Sequence, residues 1–149
     1  LKLSHNMHYM LYDCNANQVP LEKEIEFIHN YLDLQRLRLD KGNNIIFEVN
    51  IYNPKQPIAP LLFIPFVENA FKHGNKNTIQ IKLTAYNKSL DFYIENEKKE
   101  RQPELELQKM GIGLQNSRRR LELLYPNQHQ LHIREAENHF FIHLHITFL

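Results

Sequence analysis

Apolar residues recur at Leu3, Met7, Met10 and Leu11, the i, i+4, i+7, i+8 spacing of one helical face. This opening stretch predicts the tail of a longer helix, so the chain is expected to be part of a larger protein. After a polar break from Asn15 to Val19, "PLEKEIEFIHNYLDLQRLRLDKG" predicts a long helix with Leu21, Ile25, Ile28, Leu32 and Leu39 as its apolar stripe. Pro20 suits its first position, Glu22 and Glu24 its positive end, and Lys41 with Gly42 its stop. "IIFEVNIY" then alternates through Phe47, Val49 and Ile51 as a strand, and Pro54, Pro57 and Pro60 mark a loop. "FIPFVENAFKHGN", from Phe63 to Asn75, predicts a second helix ending at Gly74. "IQIKLTAYNKSLDFYIEN" predicts a hairpin, with Ile79, Ile81, Leu83 and Ala85 facing the same way as Leu90, Phe92 and Ile94. The charged segment from Glu97 to Met110 has no clear period. "GIGLQNSRRRLELLYP" opens a further helix with Leu114, Leu121 and Leu124 inward, and two last strands close the chain around Glu137 and Asn138.

The order helix, strand, helix, two strands, helix, two strands implies an α/β (α+β) two-layer sandwich: a mixed five-stranded sheet with helices on one face, preceded by a helical segment. Strand parity places Lys82, Thr84, Asp91, Tyr93, His132, Arg134, His143 and His145 on the other, polar face.

Composition narrows the function classes. A chain of 149 residues can bury a core without staples, and its net charge of +1 gives no ground for direct nucleic-acid binding. Cys14 is the only cysteine, which excludes an internal disulfide and fits a reducing compartment. No apolar run approaches a membrane span. The nine histidines and Cys14 lack zinc-ligand spacing, so no metal site is expected among them. Arg118, Arg119 and Arg120 point in three directions on a helix and are read mainly as a solvated face.

The helix around Phe66 carries more specific chemistry. At 100° per residue Phe63, Phe66, Val67 and Ala70 share one face, with Pro65, Glu68, Asn69 and Lys72 on the other. An ordinary wet face would explain the pattern, but an interior Pro65 would cost about 3 kcal/mol unless the helix starts late. An asparagine oxygen suits Mg²⁺ that keeps its waters and phosphates, and Lys72 supplies a point charge for phosphate. Glu68 has two readings, a base or a partner of Lys72, and the second is preferred. Gly111 and Gly113, placed before a helix, would let backbone N–H groups approach an anion. No Walker-type P-loop is present.

Together these segments resemble the catalytic ATP-binding domain of bacterial sensor histidine kinases, nearest to the LytS type. "VPLEKEIEFIHNYLDLQRLRL" is similar to that family's linker segment, "FIPFVENAFKHG" to its N-box, and "GIGLQNSRRRLELLYP" to its glycine box. The opening "LSHNMHYMLYDC" resembles the end of the dimerisation helix. The resemblance implies residues 1–14 as a remnant of that helix and 15–149 as a catalytic domain of the Bergerat fold. It implies ATP and Mg²⁺, with Asn69 as metal ligand, and Lys72 and His73 on the phosphate side. Gly111, Ile112, Gly113 and Leu114 would close over the nucleotide, under a lid from Glu97 to Met110. Glu68, Asn69 and Lys72 would form the catalytic group.

Parity turns Asn96 toward the pocket, in place of the family's adenine-reading aspartate. Its amide oxygen can still accept from an adenine amino group, without the strength of a charged acceptor. Pro65 stands where hydrolytic relatives place a water-activating glutamate, which disfavours a gyrase-like hydrolase. The resemblance further implies a phosphoacceptor histidine upstream of residue 1, so that the chain alone would be inactive. It also implies a homodimer, a response regulator of the LytTR type, and a cytoplasmic position in an inner-membrane sensor anchored by upstream segments. The alternative is a degenerate nucleotide-binding or partner-docking module without kinase activity.

Overall fold

The computed structural model describes residues 2–11, 16–39, 41–98 and 104–149, excepting the side chains of 11, 75–77 and 104–112. The long amphipathic segments become α1 (Lys2–Leu11), α2 (Leu21–Arg36), α3 (Ile64–His73) and α4 (Glu104–Leu124). The strands are β1 (Val19–Pro20), β2 (Asn44–Ile51), β3 (Pro57–Ile58), β4 (Gly74–Ala85), β5 (Ser89–Lys98), β6 (His129–Glu135) and β7 (His139–Thr147). The expected mixed sheet of five strands is present, in the order β2-β4-β5-β7-β6. Only β2 and β4 run parallel, joined through α3; the other pairs are antiparallel. The short strands β1 and β3 form a separate antiparallel pair that the proline-rich sequence did not announce.

The alternation along each strand sets the two faces. Ile79, Ile81, Leu83, Leu90, Phe92, Ile94, Ile142, Leu144 and Ile146 are all buried on one side, beneath the helices. Each such side chain contributes roughly 1.5–3 kcal/mol relative to exposure. Phe63, at the threshold of α3, meets Phe92 of the sheet with ring centroids 4.9 Å apart. On the opposite face Lys82, Tyr93, His143 and His132 lie in one cross-strand row, as their parity required.

Two boundaries differ from the sequence reading. The second helix ends at Arg36, and Leu37–Leu39 form a turn, so Leu39 packs partly against the core from outside the helix. Pro20 is the N-cap residue in an extended conformation, outside the first helical turn proper. Cys14 and part of the expected lid, residues 99–103, lie outside the described residues.

Candidate functional site

Helix α3 starts at Ile64, so Pro65 falls in the first turn, where its missing N–H breaks no helical bond. This is the late start that the sequence left open, and the cost of an interior proline does not arise. Phe66, Val67, Ala70 and Phe71 face the core; Glu68 and Lys72 are exposed, and Asn69 and His73 half-buried. Lys72 and His73 occupy the last turn, where positive charge complements the helix dipole. Partial burial pushes the Glu68 carboxyl above its usual range, and the Lys72 ammonium one turn away opposes that rise. Tyr31 of α2 packs edge-on against Phe71 at 5.7 Å. Burial, then the charge of Glu68, raises the Tyr31 hydroxyl to about 12.

Asn96 lies at the end of this helix. Paired with Ile79 across the sheet, it points inward with Phe92 and Ile94 and is only 5% exposed. Its Nδ2 donates to the Glu97 carbonyl at 3.2 Å. The same amide occupies the space where Gly74 lacks a side chain. A Cβ on Gly74 would overlap Asn96 Nδ2 outright, come within 2.9 Å of its Cγ and lie 2.6 Å from the Ala70 carbonyl oxygen. Gly74 is extended, with φ −95°, so it is selected here by close approach and not by a left-handed turn. The fold thus brings Asn96 against the end of the helix that carries Asn69, Lys72 and His73.

The glycine pair departs from expectation. Helix α4 begins at Glu104, which places Gly111 and Gly113 within the helix, not ahead of its N-terminus. Their backbone N–H groups fall where a helix directs such groups to its own carbonyls, so in this conformation they do not form an anion cradle. Residues 104–110 of the expected lid are helical as well. Gly113 is exposed with open space around it, and Leu114 packs partly against the core. The side chain of Ile112 lies outside the described residues.

The structure gives Glu24, Arg120 and Tyr125 roles that the sequence did not assign. Glu24, assigned by the sequence to the helix dipole, is 3% exposed and accepts hydrogen bonds from Tyr9 Oη of α1 and, at 3.0 Å, from the Leu62 N–H. Arg120 of α4 donates to the Pro60 carbonyl and, at 2.9 Å, to the Leu61 carbonyl. Tyr125 Oη accepts the Ala59 N–H at 2.9 Å. Three side chains therefore hold the segment that leads into α3. A sequence signal for Glu24 existed: with Phe27 and Tyr31 it makes a second stripe at i, i+3, i+7 on α2.

The polar sheet face forms an open concavity of about 1050 Å³, bordered by Lys82, Tyr93, Arg118, Arg134, Phe141 and His143 among others. Asp91 there accepts from His143 Nε2 at 2.7 Å and His145 Nδ1 at 3.0 Å. Burial alone would raise the Asp91 carboxyl, but the bonds and charges of the two imidazoles outweigh it and hold it below its usual range. Among the described residues no group of three or more His, Cys, Asp or Glu side chains has metal-binding geometry.

Residues 1–43 match a family model described as Histidine kinase. The Sensor protein kinase HptS of Staphylococcus aureus (strain USA300) is 29% identical over 96 residues, covering 62% of this chain and 18% of the relative. This chain thus spans less than a fifth of that curated relative. Acinetobacter baumannii histidine kinase AdeS superposes with TM-score 0.58 at 14% identity, over 98% of this chain and 75% of the other. The catalytic domain of histidine kinase ThkA gives TM-score 0.56 at 19% identity, over 87% and 94% of the two chains. ThkA solved in complex with the response regulator protein TrrA gives TM-score 0.57 at 16% identity, over 99% and 48%. The fold is that of a histidine kinase catalytic domain.

Proposed function

We propose that this chain is the ATP-binding catalytic part of a sensor histidine kinase of the LytS type, with residues 15–149 forming a Bergerat-fold domain behind the end of a dimerisation helix. The observation that carries the reading is the meeting of Asn96 with the last turn of α3, which bears Asn69, Lys72 and His73. The donor set fits a magnesium–triphosphate complex: one half-exposed neutral amide oxygen, one exposed ammonium a turn away and, among the described residues, no competing cluster of carboxylates. Magnesium, when bound, would neutralise charge building on the transferring phosphoryl group. Asn69 would orient the triphosphate end, Lys72 and His73 would neutralise phosphate oxygens, and Glu68 would hold Lys72 in place. Asn96 would accept from the adenine amino group. Leu114, with Gly111, Ile112 and Gly113 of α4, would cover the nucleotide.

In the whole protein the γ-phosphoryl would pass to a histidine upstream of residue 1 and then to a response regulator, within a homodimer anchored in the membrane. Support for the regulator is the ThkA structure with TrrA. The LytTR type and the inner-membrane position extend the LytS reading. Among the described residues no helix is long and apolar enough to cross a membrane.

A second reading, a docking module without catalysis, is favoured by one observation: Gly111 and Gly113 lie inside α4, leaving no glycine loop to close over phosphates. Calorimetric titration separates the two. ATP is expected to bind in the presence of Mg²⁺, and Asn69→Ala to remove the magnesium-dependent part of the affinity while the melting temperature holds. No binding at millimolar ATP would overturn the nucleotide reading and favour the docking module.

A further inference from the structure

We propose that Glu24 is a positioning residue that couples α1 to α3, holding Tyr9 of one and the approach to the other through the two oxygens of a single carboxylate.

The burial of Glu24 is costly, since an ionised carboxylate loses most of its hydration at 3% exposure. Dipole stabilisation at the start of α2 does not require it, because Glu22 sits in the same first turn, more exposed and ion-paired with Lys55. What compensates Glu24 comes from three other parts of the chain: the Tyr9 hydroxyl of α1, the Leu61 and Leu62 N–H groups before α3, and the guanidinium of Arg120 in α4. Burial pushes its carboxyl up, and those bonds and that charge pull it back only in part. An apolar side chain of similar size would fill the position at lower cost, so the arrangement holds direction as well as volume.

The segment it grips is poised to respond. Leu61 has φ 55°, a left-handed conformation that a branched side chain avoids. Its neighbours on both sides are held by side chains: Pro60 and Leu61 carbonyls by Arg120, the Leu62 N–H by Glu24. Tyr9 also packs against Phe27 with ring centroids 5.2 Å apart, so a shift of α1 moves the hydroxyl and ring together. Withdrawing that hydroxyl leaves one Glu24 oxygen buried without its donor, and the carboxylate then reorients or hydrates at the expense of Leu62. Movement of α1 is thereby converted into movement at the first turn of α3. The nucleotide consequence rests on the proposed function; the coupling itself does not.

The test is amide hydrogen exchange on this 149-residue chain, comparing the wild type with Tyr9→Phe, Glu24→Gln and the double variant. Tyr9→Phe keeps the ring and its packing and removes only the donor. Gln can still accept the Leu62 N–H but presents an amide N–H₂ or one oxygen, never both acceptors. Exchange at Leu62, Phe66 and Val67 is expected to rise about threefold in Tyr9→Phe, the lower end for one lost hydrogen bond, with β4 and β5 unchanged. The double variant is expected to match Glu24→Gln alone. Unchanged exchange at Leu62, a uniform rise across β4 and β5, or additive effects of the two substitutions would each overturn the coupling. A parallel Mg²⁺–ATP titration keeps the readings apart: localised exchange changes without any wild-type binding sustain the coupling and defeat the nucleotide assignment.

Discussion

Replacing Gly74 with alanine adds one methyl at the point where α3, β4 and β5 converge. The backbone there is extended, so alanine meets no conformational penalty and the whole effect is steric. The new Cβ would collide with the Asn96 amide and sit 2.6 Å from the Ala70 carbonyl oxygen. Asn96 can rotate away only by giving up its bond to the Glu97 carbonyl, while the Ala70 carbonyl belongs to the helix and cannot yield without moving the last turn. Overpacking of this kind costs about 1–3 kcal/mol. For a domain of this size that corresponds to a fall of about 2–12 °C in melting temperature. Urea denaturation gives the free energy directly, and a second substitution divides it. Asn96→Ala in the Gly74→Ala background removes the side-chain clash but leaves the carbonyl clash, so it is expected to restore stability only in part. Mg²⁺–ATP affinity is expected to fall in Gly74→Ala and to stay low in the double variant, which lacks the adenine-reading amide. A Gly74→Ala protein as stable as the wild type would refute the close packing of Asn96 on Gly74.

Two further outcomes follow from the geometry. Arg120→Ala is expected to cost about 2–3 kcal/mol in urea denaturation, because two charge-assisted bonds to half-buried carbonyls are lost, and Arg120→Lys to recover less than half, since an ammonium cannot reproduce the fork. Asp91 has a depressed carboxyl, so its contribution is complete above the usual value of 3.8 and is lost as pH falls through the lower folded value. Asp91→Asn is accordingly expected to flatten the acid limb of the stability–pH curve in that range, with little change near neutrality in the unfolding of the core.

The strands were the most legible part of the chain because their period is unambiguous. Ile79, Ile81, Leu83, Leu90, Phe92 and Ile94 could face only one way, and Asn96 followed from the same parity. The start of α3 was less legible, since "FIPF" is apolar on both sides of the proline and periodicity cannot say which residue is first. The reading of Gly111 and Gly113 as a loop gave weight to glycine's low helix propensity, which costs about 1 kcal/mol per residue and is readily overridden by the surrounding structure. Glu24 does lie in the first turn of α2, as expected, but its partners and those of Arg120 were not legible, for a common reason. Charged side chains are almost always solvated, and only long-range partners such as Tyr9, Leu62 and the Pro60 carbonyl reveal that Glu24 is buried and Arg120 half-buried. The β1–β3 pair was missed because two residues are too short for any pattern.

Helix α3 passes into β4 at Gly74 with no connecting loop between them. The joint nevertheless carries slack: Gly74 pairs with Lys98 and Ile79 with Asn96, so five steps along β4 stand against two along β5, and the pairing of β4 with β2 begins only at Thr78. β4 lies inside the sheet, flanked by β2 and β5, and the surplus residues of its bulge stand between His73 and that paired interior, where they can take up a pull before it reaches the sheet. The end of α3 can therefore shift against whatever it meets while the sheet from Thr78 onward keeps its register.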